Sequence, residues 1–298
     1  MQNYKNQVSL LLDVLPIVAR EECFAIHGGT AINLFVRDMP RLSVDIDLTY
    51  LPIEDREVTY INVSSALERI KANIVASIQN INVTHQHDVY KLQVSSRSAQ
   101  IKIEVNTTGR GTLTSPQKMV LCDQAQTEFD VFCAMPVVPF GQLYGGKICA
   151  ALDRQHPRDL FDVMHLLNNE GFSEEVKIGF LLCLASSGRP MHELIVPNYL
   201  DQRAVMINHF EGMTVEPFSY EEFEATRENL IRTIHNNLTD YDKEFLLSVK
   251  NLTPNWVLYD FERFPAVQWK LRNLEKLKAQ NPTKHQAQYD ELKRKLNA

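Results

Sequence analysis

HGGTAINLFVRDMPRLSVDIDLTY, residues 27–50, decides how the rest of this chain is read. Its glycine pair, Gly28-Gly29, halts the short apolar run Phe24-Ala25-Ile26. Strand, glycine turn and helix is the local order this predicts, with Thr30 placed to cap a helix over residues 30–36. A helix N-terminus behind two glycines exposes backbone N–H groups that a phosphate can approach, and the same dipeptide also serves as plain turn chemistry. Farther on, Val44-Asp45-Ile46-Asp47-Leu48 alternates. Strand side chains have a period of two, so the apolar residues fall on one face and both carboxylates on the other. Two acids on one face repel each other. Either a solvated outer face or a bound divalent cation accounts for them.

Working outward, residues 89–94 and 99–107 read as a hairpin turning at Ser95-Ser96-Arg97-Ser98. In its second arm Ile101, Ile103 and Val105 alternate with Lys102, Glu104 and Asn106. Glu104 is therefore a third acid able to share the side of Asp45 and Asp47, or to lie on an exposed polar face. Helical spacing predicts helices near residues 8–19 and 64–79, and residues 129–135 read as a further strand. Pro136 and Pro139 mark a connection, which places a domain boundary near Phe140: an α/β domain over residues 1–140 and a helical domain over 141–298.

In the helical half, a helix over 142–155 sets Lys147 and Arg154 two turns apart on one face. His156-Pro157 ends it, and the next helix carries Asp159 and Asp162 on one side. Acids in a first helical turn also serve the helix dipole, so spacing alone leaves their role open. Helices are expected over 174–185, 201–210, 220–237, 241–249, 266–279 and 283–296, with Trp256 and Trp269 as core or interdomain anchors rather than base-stacking platforms.

The 298 residues, 44% hydrophobic, suffice for one large domain or two ordinary ones. No stretch approaches the ~18 to 20 apolar residues of a membrane helix, and the N-terminus lacks a secretory signal pattern, so the chain reads as cytoplasmic, with no membrane partner. Five scattered cysteines form no C-x-x-C pair and read as buried reduced thiols. The net charge of -6 is uneven: residues 263–295 carry nine Lys or Arg against three Asp or Glu, leaving -12 on the remainder. A basic end of this kind suits a polyanion or a solvated helical face.

Nucleotidyl transfer needs a loop for the triphosphate, carboxylates for one or two magnesium ions, and a cation that offsets phosphate charge. Gly28-Gly29, Asp45 with Asp47, Glu104 and Lys147 are candidates for these parts. The runs GGTAINLF (28–35) and RLSVDIDL (41–48), then KICAALDRQHPRDLFDV (147–163), resemble the AbiEii/AbiGii nucleotidyltransferase-like toxins, whose members are similar to the MenT toxins of type IV toxin–antitoxin systems. The tail FPAVQWKLRNLEKL (264–277) and NPTKH (281–285) extends the likeness over most of the chain.

This resemblance implies an α+β fold: a DNA polymerase β-like nucleotidyltransferase core of mixed sheet with flanking helices, plus an α-helical C-terminal domain that completes the active site. It implies Ser43 as the small hydroxyl residue two positions before the first metal-binding acid, and Asp45 and Asp47 as metal ligands. Lys147 then matches the phosphate-binding lysine and Asp162 the acid of the second block. Gly28, Gly29, Thr30, Arg41, Arg154 and Arg158 are carried as nucleotide or RNA contacts, and Glu104 as a third metal carboxylate by strand position. The expected activity is Mg²⁺- or Mn²⁺-dependent transfer of a nucleotide from an NTP to an RNA acceptor, the 3′ end of tRNA, inhibiting translation in a toxin–antitoxin or phage-defence system. A cognate antitoxin containing a winged helix is the expected protein partner. Nucleotidylation of a protein or small molecule, and nucleotide or partner binding without chemistry, are the alternatives.

Overall fold

The computed structural model describes residues 2–297. The chain divides into two compact units, one built from the chain up to Pro139 together with Glu211–Pro217, the other from Phe140–Phe210 and the chain from Phe218 onward. The first unit runs α1 (Gln2–Val18), β1 (Phe24–His27), α2 (Gly28–Ala31), β2 (Asp45–Tyr50), α3 (Arg56–Ser77), β3 (Asn82–Gln86), β4 (Lys91–Ser95), β5 (Gln100–Asn106), β6 (Gln117–Val120), α4 (Asp123–Phe129) and β7 (Ala134–Val137). Its sheet is mixed, in the order β3-β4-β5-β2-β1-β7-β6. β2 lies antiparallel to β1 and parallel to β5, while β4 and β5 form the expected hairpin, closed by Ser96 N donating to Ala99 O at 2.8 Å.

Alternation gives this sheet two unlike faces. Ile26, Ile46, Leu48, Leu92, Val94 and Ile103 are wholly buried on the face that α1 and α3 cover, each such side chain contributing about 1.5–3 kcal/mol by leaving water. On the opposite face Asp45, Asp47, Lys102 and Glu104 stand in rows set by the parallel β2–β5 register, with Asp45 beside Lys102 and Asp47 beside Glu104. Segment 211–217 joins this unit through Leu42 N donating to Met213 O at 2.8 Å and a bridge between Arg41 and Thr214.

Several expectations are corrected. Thr30 is not a helix cap: α2 begins at Gly28 behind His27 and passes into a π-helical turn at Ile32–Val36. The predicted strand over 129–135 is replaced by the end of α4, where Asp130 takes φ +51, and β7 starts only at Ala134. α3 begins at Arg56 rather than at residue 64. The short elements β3, β6 and α4 were not anticipated. Cys133 alone of the five thiols is buried, the others being half-buried.

The second unit is helical: α5 (Phe140–Asp153), α6 (Pro157–Asn169), α7 (Glu174–Ser186), α8 (Met191–Ile195), α9 (Arg203–His209), α10 (Tyr220–Asn237), α11 (Asp240–Lys250), α12 (Pro265–Gln280) and α13 (Pro282–Leu296). Reciprocal capping boxes, Ser219 with Glu222 and Thr239 with Asp242, fix where α10 and α11 start. α5 and α7 pack backbone to backbone. A Cβ on Gly145 would strike the main chain of Gly179 and Phe180, and one on Gly179 the main chain of Gly141. Trp269, expected as a core or interdomain anchor, is 48% exposed, whereas Trp256 packs beside Phe245 with ring centroids 6.2 Å apart. No helix among the described residues is long and apolar enough to cross a membrane.

Candidate active site

In the first unit, chain 27–47 folds back so that its glycines meet its acids. Gly28 has φ +72, and a Cβ there would sit 2.5 Å from Asp47 Oδ2. A Cβ on Gly29 would lie 2.6 Å from Arg41 Nη2 and 3.1 Å from Ser43 Oγ. Only a residue without a side chain permits both approaches. Thr30, wholly buried, bonds Ser43 Oγ at 2.9 Å and the carbonyl oxygen of Asp45, which ties the start of α2 to the entry of β2. Asn33 Nδ2 adds a bond to Gly29 O at 2.8 Å. Gly28, Gly29, Thr30, Arg41, Ser43, Asp45 and Asp47 are thus one locality, and the half-exposed Asp45 and Asp47 are its carboxylates.

Arg41 is 3% exposed and donates from Nη1 to Leu42 O at 3.0 Å, so it serves the turn as well as the pocket of charge. His27 was not singled out in the sequence. It lies in register with Asp47 and hydrogen bonds Thr49 Oγ1 through Nδ1 at 3.0 Å. Only its position directly before the glycine pair signals it.

Glu104 stands beside Asp47 in the sheet, but its carboxylate is ion-paired with Lys91. Among the described residues, Asp45, Asp47 and Glu104 do not converge as a three-ligand set. The group that does is Glu68, His85 and His87, with donor atoms within 4.8 Å of one another. It sits by the edge strand β3, where His85 Nδ1 and Glu68 Oε1 are 2.6 Å apart, and that hydrogen bond holds the Glu68 carboxyl below its ordinary pKa. Two carboxylates still make an adequate Mg²⁺ site, because this ion keeps several waters and takes the rest of its oxygens from substrate phosphates.

In the second unit the lysine and the acids of the second motif form a buried cluster. Lys147 Nζ lies 2.9 Å from Asp159 Oδ1 and 3.1 Å from Asp162 Oδ2, and the three residues are 6%, 1% and 1% exposed. Arg154 reaches the same Asp159 with Nε at 2.5 Å and Nη2 at 3.0 Å. Burial pushes the Asp159 carboxyl up, but Lys147 and Arg154 more than offset it and hold the group well below the usual carboxylate range. Asp159 is the hub here, a role that spacing left open. The ammonium of Lys147 has three N–H groups, and two carboxylates account for two of them. Arg158 is half-buried, its backbone N donating to the capping His156 Nδ1 at 3.1 Å.

The chain as a whole has counterparts among known proteins. The family profile described as nucleotidyl transferase AbiEii toxin, type IV toxin–antitoxin system, matches residues 9–273. Among solved structures, the nucleotidyltransferase toxin MenT4 from Mycobacterium tuberculosis H37Rv aligns with a TM-score of 0.60 at 14% identity, covering 91% of this chain and 93% of that one. At such identity the likeness establishes the fold. No curated protein matches the sequence. With its profile match spanning both motif blocks, the chain belongs to the AbiEii family of nucleotidyltransferase toxins of type IV toxin–antitoxin systems.

Proposed function

We propose that this chain transfers a nucleotide from an NTP to the 3′ end of an RNA, with tRNA as the acceptor, and so halts translation until a cognate antitoxin acts. The observation that carries the reading is the close packing of Gly28 and Gly29 against Asp47, Arg41 and Ser43. It sets the Asp47 carboxylate and the Arg41 guanidinium directly against the glycine turn at the start of α2, where an ion held by the acids would draw phosphate oxygens. The donors are all oxygens, which suits Mg²⁺ or Mn²⁺ rather than a softer metal, and Asp45 and Asp47 would hold it. A divalent ion there supplies positive charge to the phosphates and lowers the pKa of the attacking hydroxyl.

The chain's own residues have separable tasks in this reading. Ser43 and Thr30 hold the glycine turn and β2 in one register, so that Asp45 and Asp47 keep their spacing. Lys147, oriented by Asp159 and Asp162, retains an N–H for a phosphate oxygen, and Arg154 and Arg158 add positive charge beside it. The exposed basic residues of the tail, among them Arg272, Lys276, Lys278 and Lys284, attract the RNA backbone, an interaction that weakens with salt. An antitoxin with a winged helix is the expected neutralising partner.

The test is to incubate the purified protein with total RNA, Mg²⁺ and each labelled NTP in turn. Label in RNA that is absent with Asp45→Ala supports the reading. Label in polypeptide instead makes a protein the acceptor. Absence of any label, or equal labelling by Asp45→Ala, refutes the mechanism.

A further inference from the structure

The tail motif has a structural counterpart that nucleotidyl transfer does not use. Within the second unit a cavity of about 150 Å³ opens among α11, α12, α13 and the segment leading into α8. Its walls include Trp269, Lys270 and Leu274 from the tail motif, together with Lys250, Gln288 and Leu292. One water needs about 10–15 Å³, so the cavity has room for several waters or a small ligand.

Two of the lining side chains are unusual. Lys250 and Lys270 are 4% and 6% exposed, and among the described residues neither makes an ion pair. Lys250 Nζ donates to Gln288 Oε1 at 2.9 Å, and Lys270 Nζ donates to the carbonyl oxygens of Ser187 and Arg189, both at 2.6 Å. Every acceptor is neutral and belongs to the cavity wall. Lys250 thereby uses one of its three donors and Lys270 two. The contrast with Lys147 and Lys177 is direct, since both of those buried lysines sit against carboxylates.

A buried cation without a counter-charge is costly. Here the cost shows in acidity: burial lowers the Lys250 ammonium to about 8, and burial together with the charge of Lys250 lowers that of Lys270 to about 8. The other charged group of the wall, Arg189, is already paired with Asp153 at 2.5 Å and Glu193 at 3.3 Å. The local excess is therefore two positive charges beside an apolar wall on which Trp269 stands half-exposed.

We propose that this cavity binds a nucleoside phosphate, with the Lys250 and Lys270 ammonium groups meeting the phosphate and Trp269 lying against the planar base. A dianion matches the two unpaired cations, and lysine is a common point-charge partner for phosphate. A base supplies what inorganic phosphate lacks, a π-face for the indole. All the lining residues lie in the second unit, so the inference stands apart from Asp45 and Asp47. Free nucleotide and the terminal nucleotide of an RNA share this chemistry.

Trp269 is one of only two tryptophans in the chain, so its fluorescence reports on the site. Full-length protein is titrated with AMP, GMP, CMP and UMP, with inorganic phosphate, and with an RNA hairpin ending in a single-stranded 3′ overhang. The expected result is saturable quenching by at least one nucleotide or by the hairpin, at affinity 10-fold or more above that for inorganic phosphate. Lys250→Met weakens it at least 10-fold, and Asp47→Asn leaves it unchanged. Trp269→Phe, at an exposed position that does not endanger folding, lowers the calorimetric affinity several-fold. Quenching by the hairpin alone identifies RNA as the source, and quenching by a mononucleotide identifies a free ligand. Equal affinity for inorganic phosphate, no effect of Lys250→Met and Trp269→Phe, loss of binding in Asp47→Asn, or no quenching by any probe overturns the proposal.

Discussion

Replacing Gly28 with alanine separates backbone strain from damage to the site, because the molecule contains a matched control. Gly28 and Gly171 both have φ +72, but a Cβ on Gly28 lands 2.5 Å from Asp47 Oδ2, while one on Gly171 meets nothing within 4 Å. Each alanine carries the left-handed penalty of ~1–2 kcal/mol, equivalent to a fall in Tm of roughly 2–8 °C for units of this size. Only Gly28→Ala must also displace the Asp47 carboxylate, by about 1 Å to reach ordinary contact. Displacing a catalytic group by that much costs about 100-fold in rate, or ~2.7 kcal/mol. The expectation is a similar loss of stability in the two variants by thermal melting, with nucleotide transfer lost only in Gly28→Ala. Wild-type transfer by Gly28→Ala, or equal loss in both variants, would refute the assignment of Asp47 to the reacting centre.

Other outcomes follow from the second unit. Asp159→Asn removes the shared partner of Lys147 and Arg154 and is expected to destabilise by about 3–5 kcal/mol in urea unfolding. Because the folded carboxyl titrates below its unfolded value, that contribution is complete above about pH 4 and fades only as the pH falls below it. Gly145→Ala forces α5 away from α7 and is expected to cost about 3 kcal/mol, measured the same way. Lys270→Met reports the buried charge. The folded pKa of about 8 lies below the unfolded value, so the wild type gains stability relative to this variant as pH rises from 8 to 10, by ~2 kcal/mol. A difference that does not vary with pH would show that Lys270 does not titrate in this range.

The parts of the fold legible in the sequence are those where one physical pattern acted alone. β2 and the β4–β5 hairpin alternate cleanly, and α10 is bounded by a Ser219–Glu222 capping box. β3 escaped because its five residues carry only two inward side chains, Val83 and the polar His85, which leaves almost no alternation to detect. The start of α3 escaped because its early turns, with Val58 and Ile61 exposed, lack an apolar stripe. At the site, the motif named Gly28, Gly29, Ser43, Asp45 and Asp47, and the structure brings their chain into one turn. Spacing could not show that Thr30 bonds β2 instead of capping a helix, or that Glu104 is taken by Lys91. Both depend on which strand lies next to which.

The glycine seam between α5 and α7 bears on how the protein tolerates change. Elsewhere in the helical unit a lost methyl group can be met by a neighbour that relaxes. At Gly141, Gly145 and Gly179 the nearest atoms across the seam are main chain, which has little room to relax. Sliding α5 by one residue would turn Lys147 about 100° around the helix axis, away from Asp159 and Asp162. The seam forbids such a slide, since it would carry a side chain into the opposing backbone. Three glycines thus set the azimuth of the lysine, and drift at Gly141, Gly145 or Gly179 would silence the second motif while every one of its letters stayed intact.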